Sequence, residues 1–146
     1  MNAIETMFRT VNPLNNKVIK EYKLETWEEV SDKLGAAKKA FHEWKRQSYA
    51  QRAAFLIEAA KVLKENKEIY AKQITLEMGK PIQQSIAEVE KCALVCTFYA
   101  ENAADFLADQ NIETEFSQSY VTYQALGTIL QVMPWNFPFW QVFRFA

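Results

Sequence analysis

Between residues 27 and 109 the apolar positions recur every three or four residues; toward both ends that spacing gives way to alternation or to short continuous runs. Trp27, Val30, Leu34, Ala37, Phe41 and Trp44 form one stripe, which predicts a helix from about Trp27 to Trp44. Thr26 and Glu29 just ahead of it fit a capping box, in which hydroxyl and carboxylate satisfy orphan backbone donors. Ser48 and Gln51 repeat the signal before a second helix, from near Tyr49 to about Met78. Its expected buried face is Phe55, Ala59, Val62, Leu63, Ile69, Tyr70 and Ile74. Gly79 reads as its left-handed C-cap, and Pro81 suits the first turn of a third helix from about Ile82 to Asp109. That helix carries Ile82, Ile86, Val89, Ala93, Cys96, Ala100, Ala103 and Leu107 on one face.

The flanks read differently. MFRTVNPLNNKVIKEYKL, residues 7–24, predicts two short strands about an Asn- and Pro-rich turn. EFSQSYVTYQALG, residues 115–127, alternates and predicts a strand segment. Thr128–Met133 is a short, mostly apolar run of the kind expected for a strand buried on both faces. A tight Pro-Trp-Asn-Phe-Pro corner and a helix over Phe137–Phe145 follow. Strands at both ends around long helices make the fold class α/β.

Composition narrows the function classes. The 146 residues suffice for one domain with a real core, and a net charge of −1 gives no cationic surface for nucleic acid or anionic lipid. MNAIETMF has no basic stretch followed by an apolar one, so no secretory signal is read and the cytoplasm is the expected compartment. Residues 128–146 are long enough to span a bilayer and carry one charge. Two prolines and an asparagine in their middle argue against a span. Cys92 and Cys96 share a helix face four residues apart, a poor geometry for a disulfide, and read as reduced packing residues. His42, the sole histidine, lies one step off the first stripe among charges and reads as a surface or boundary residue. No metal site is expected.

The chemistry concentrates at residues 133–144. Ligands of open α/β sheets bind where a strand's carboxyl end meets the next helix, and residues 133–137 form such a junction. Two readings of Asn136 are open. It can be a helix N-cap, or its amide can stabilise an oxyanion at an acyl centre. Phe137, Gln141 and Arg144 follow at i, i+4 and i+7 on one face. Arg144 can bind a substrate carboxylate bidentately, or it is a surface arginine on an apolar helix.

Pro134-Trp135-Asn136-Phe137-Pro138 resembles the PWNFP signature of the NAD(P)-dependent aldehyde dehydrogenases. Tyr123–Met133 resembles that family's Y-x-P-L-G-x-x-x-x-I stretch, with Ala125 where proline is usual. Leu76–Pro81 resembles its E-x-G-K-P link, and Asn12-Pro13 its opening motif, with Asn15 and Asn16 where Thr-Gly is usual. PFWQVFR and the AEV…C…YAE pattern are similar to the bacterial succinate-semialdehyde dehydrogenase branch.

The resemblance implies that residues 1–146 form the N-terminal portion of an NAD(P)-binding domain, with 115–127 in the oligomerisation region. It implies oxidation of an aldehyde, succinate semialdehyde by preference, with NAD or NADP as cofactor, in a homo-oligomer. It makes Asn136 the catalytic oxyanion donor. Met133, Pro134 and Trp135 would line the cofactor, Phe137 and Gln141 the substrate tunnel, and Arg144 would hold the distal carboxylate. The family's catalytic cysteine and glutamate match no residue of this chain, so the chain alone is expected to be inactive. The alternative is a non-catalytic helical interaction module derived from a dehydrogenase.

Overall fold

The computed structural model describes residues 7–145. Residues 1–6, which include most of the stretch read above as lacking a leader, lie outside it. Strands β1 (Met7–Val11) and β2 (Val18–Lys23) form an antiparallel hairpin, with a register irregularity between Thr10 and Val11. The turn uses its asparagines as the composition suggested. The Asn12 and Asn15 side-chain oxygens accept from the N–H groups of Leu14 (2.9 Å) and Lys17 (3.0 Å). Asn16 adopts the left-handed conformation at φ 58°.

Helix α1 (Trp27–Trp44) and helix α2 (Tyr49–Glu65) both begin in capping boxes, Thr26 with Glu29 and Ser48 with Gln51. The continuous second helix expected to Met78 is instead two. Asn66 departs from helical geometry, its side-chain amide donates to the Val62 carbonyl at 2.9 Å, and α3 (Lys67–Met78) begins beyond it. This local bond competes with the backbone ladder. The break also rotates the buried face: Ala60, Leu63, Ala71 and Ile74 are buried, whereas Phe55, Val62 and Ile69 are exposed. Gly79 closes α3 in the left-handed region as expected. Helix α4 (Ile82–Phe106) then runs through the core, which joins Ala60, Leu63 and Ile74 to Val89, Cys92, Ala93 and Cys96.

Helix α1 differs from its stripe. None of its residues is buried, and Trp27 is 88% exposed; its C-terminal end touches α2 through Trp44 and Phe55, rings 5.2 Å apart. After α4, β3 (Gln110–Asn111) pairs antiparallel with β4 (Tyr120–Val121), the only ladder within the predicted 115–127 strand segment among the described residues. Residues 128–134 form no ladder with any described strand. The expected helix over 137–145 shortens to α5 (Trp140–Phe143), preceded by turns from Trp135. The class is α/β as expected, but the doubly buried strand expected over Thr128–Met133 does not form: it has no partner among the described residues, and Ile129, Leu130 and Val132 are exposed. No described helix is long and apolar enough to cross a membrane.

Candidate active site

The corner at residues 135–140 is held by a buried ion pair. Beyond the Gly79 cap, Lys80 turns inward, and Pro81 stands at the N-cap of α4. Eight residues on, Glu88 lies on the buried face of α4 between Ser85 and Cys92. The Lys80 ammonium donates to Glu88 Oε2, and the two side chains are 7% and 1% exposed. Glu88 Oε1 accepts from the backbone N–H groups of Phe139 (3.0 Å) and Trp140 (3.1 Å).

Each of these bonds has a physical cause. The first N–H groups of a helix lack partners within it. Helix α5 has no side-chain cap of its own, so the Glu88 carboxylate from α4 takes that role. A buried carboxylate left unpaired is costly, and Lys80 neutralises it.

Aromatic contacts complete the anchorage. Lys80 Nζ lies 3.8 Å from the Phe137 ring centroid, and Lys91 Nζ lies 3.9 Å from that of Trp140. Both are cation–π distances. Phe139 packs against Tyr70 at 5.3 Å and stacks on Phe143 at 6.3 Å.

Asn136 sits exposed in the turn just before these anchored residues. The N-cap position of α5 is Phe139, so Asn136 does not cap it; the cap reading is corrected. Asn136 lines a cleft of about 530 Å³ with Phe137, Gln141, Lys80, Gln84 and Glu88. Met133, Pro134 and Arg144 line a neighbouring cleft of about 470 Å³, and Gln141 borders both. Trp135 faces a third, against Thr10 and Met78. Asn136, Phe137 and Gln141 therefore come together as read from the sequence. Arg144 lies across Gln141 from them, exposed, its guanidinium 4.7 Å from the Phe145 ring centroid.

Lys80 and Glu88 escaped the sequence reading. A signal was present: Glu88 is a charged residue between Ser85 and Cys92 at i−3 and i+4, on the side of α4 that carries the apolar stripe. Cys92 and Cys96 are buried and free, as expected. Burial, followed by the nearby Glu88 charge, pushes the Cys92 thiol up to about 12, and burial raises that of Cys96. Neither is poised as a nucleophile. Among the described residues no cluster of metal-ligating side chains occurs.

The aldehyde dehydrogenase family model matches residues 1–145. Over 137 residues the chain is 49% identical to a probable succinate-semialdehyde dehydrogenase [NADP(+)] of Synechocystis, a match covering 94% of this chain and 30% of that protein. The succinic semialdehyde dehydrogenase of Streptococcus pyogenes, solved in complex with NADP+, superposes with a TM-score of 0.89 at 33% identity, over 94% of this chain and 30% of that one. The structure of Gox0499 superposes at 0.92 with 32% identity, again over 94% and 30%. The chain thus spans about three tenths of the length of the relatives it matches.

Proposed function

The chain belongs to the aldehyde dehydrogenase family, and from that premise we propose that it supplies the oxyanion donor and one wall of the dinucleotide site to an enzyme that oxidises an aldehyde to its acid. In this reading residues 1–146 are the N-terminal portion of the NAD(P)-binding domain. The Synechocystis and S. pyogenes relatives are named for succinate semialdehyde, which supports that substrate here.

The observation that carries the proposal is the placement of Asn136. Its side chain is exposed and lines a cleft, and the turn that follows it is held by bonds to Glu88. When a nucleophile adds to an aldehyde carbon, the carbonyl oxygen gains negative charge. A preorganised carboxamide N–H stabilises that charge without reorganising at the moment of reaction. Phe137 and Gln141 border the same cleft and would orient the substrate chain. Arg144 would pair with its distal carboxylate, a planar match of guanidinium to carboxylate. The nucleophile comes from outside this chain, since both cysteines here are buried with raised thiol pKa values.

The donor set fits part of a dinucleotide site. Met133 and Pro134 offer apolar surface and backbone groups along a segment engaged in no described ladder, and Trp135 an exposed ring. The three glycines stand inside α1, at the α3 cap and at residue 127, so no glycine-rich phosphate cradle lies in the chain. The cofactor, NAD+ or NADP+, when bound supplies the hydride acceptor.

Substitution in the full-length protein that carries these residues tests both roles. Asn136→Ala is expected to lower kcat by about 10²–10³, equivalent to about 2.7–4 kcal/mol of transition-state stabilisation. Arg144→Leu is expected to raise KM for succinate semialdehyde far more than for an uncharged aldehyde. Unchanged kcat in the first variant removes the oxyanion role, and equal KM changes in the second remove the carboxylate role.

A further inference from the structure

We propose that Glu88 is a positioning residue for Asn136, setting the direction of its carboxamide through the turn that follows it, with Lys80 as its charge partner. The inference rests on the oxyanion role proposed for Asn136 and adds to it the group that aims the donor.

Three observations converge. First, Glu88 Oε1 accepts two successive backbone N–H groups, at Phe139 and Trp140, across more than fifty residues of sequence. One acceptor shared by consecutive donors fixes both the height and the rotation of the peptide units three and four residues after Asn136. Second, Glu88 Oε2 holds the Lys80 ammonium, and that ammonium lies 3.8 Å from the Phe137 ring centroid. The same carboxylate therefore holds the chain that follows Asn136 at two levels, at Phe137 through Lys80 and its aromatic face and at Phe139 and Trp140 through backbone. Third, the side chain of Glu88 is 1% exposed, so water does not compete for these bonds. A hydrophobic residue at this position of α4 would pack against Val89, Cys92 and the rest of the core without reaching the turn. A buried, paired carboxylate costs stability relative to such a residue, and what it provides in return is a defined turn.

Catalysis by a fixed dipole depends on aim. A misplacement on the order of 1 Å lowers rate on the order of 10²-fold. Loss of aim appears in kcat with KM little changed, because the interaction exists only in the transition state.

The test compares two variants that both remove the buried charge. Lys80→Met/Glu88→Gln keeps an oxygen acceptor where Glu88 Oε1 stands. Lys80→Met/Glu88→Leu removes it at similar volume. Neither leaves an ion buried alone, so both are expected to fold. In the full-length protein that carries this chain, the Gln variant loses the Lys80 contact with Phe137 but keeps the acceptor, and is expected to have a kcat well above that of the Leu variant. The Leu variant is expected to lose about 10²-fold in kcat with KM little changed, and to show faster amide exchange at Phe139 and Trp140.

In an Asn136→Ala background the two variants are expected to have the same kcat, because no donor remains to be aimed. Equal kcat and equal exchange in the two variants with Asn136 intact would overturn the proposal. So would a kcat difference that persists in the Asn136→Ala background, since Glu88 would then act by another route. If Asn136→Ala alone leaves kcat unchanged while exchange at Phe139 and Trp140 still depends on Glu88, the carboxylate holds the turn but the oxyanion role of Asn136 is what fails.

Discussion

Cys92 has no exposed surface, and its surroundings hold its thiol protonated well above its ordinary value of 9.0. An unfolded chain releases that proton near 9, whereas the folded chain keeps it to about 12. Between those values the unfolded state binds fewer protons, so stability falls as pH rises; below 9 the group contributes nothing to the pH dependence. The urea midpoint is therefore expected to drop between pH 8 and pH 10.5 by more in the wild-type chain than in Cys92→Ala. Equal drops would show that other groups govern alkaline unfolding. Cys92 was legible as a reduced packing residue because Cys96, four residues away on the same helix face, is poorly placed for a disulfide. Asn136 was legible as a chemical group through the five-residue signature around it, but its cap reading failed because the helix starts three residues later than the pattern suggested. Glu88 went unread because its partners, Lys80, Phe139 and Trp140, are brought together only by the path of the chain around Gly79 and back across α4.

Helix ends were the most readable elements. Both capping boxes form, and so does the Gly79 stop, because each rests on a side chain or a φ angle within four residues. The break at Asn66 was hidden, since apolar spacing continues across it and only the side-chain bond to Val62 reveals it. The isolated segment at 128–134 was unreadable for the opposite reason: an apolar run predicts a strand, but a ladder requires a neighbour that the run cannot specify. Glycine separates local from tertiary demands well. Gly79 has φ +73°, and an added Cβ would stand 3.1 Å from Pro13 Cγ in the β1–β2 turn. Gly79→Ala is expected to cost about 1–2 kcal/mol for the left-handed conformation alone, or roughly 2–8 °C in Tm at this chain length. Gly35, inside α1 with nothing within 4 Å of its added Cβ, is expected to gain about 0.5–1 kcal/mol on substitution by Ala. Thermal melts of the two variants check both signs, and a destabilising Gly35→Ala or a neutral Gly79→Ala would contradict the backbone geometry.

At the scale of the whole molecule, the core is confined to α2, α3 and α4, with α5 against it, while much of the remaining apolar surface stays open. Leu126, Leu130 and Val132 are 94%, 88% and 85% exposed, along a segment whose backbone joins no described strand. Exposed apolar surface next to unpaired backbone groups is a template for pairing with another chain. The stretch just before it carries β4 and was read from the sequence as part of an oligomerisation region. The 146-residue polypeptide is therefore expected to self-associate, with a weight-average sedimentation coefficient that rises with concentration in the micromolar range. Leu130→Lys with Val132→Lys places two like charges on the segment and is expected to shift the chain toward monomer without altering its helical circular dichroism, because neither residue contributes to the α2–α4 core. A concentration-independent monomer in the unsubstituted chain would mean that this surface is tolerated by water. Association unchanged by the two lysines would instead move the contact to the other open apolar face, around Trp27 and Leu34 of α1.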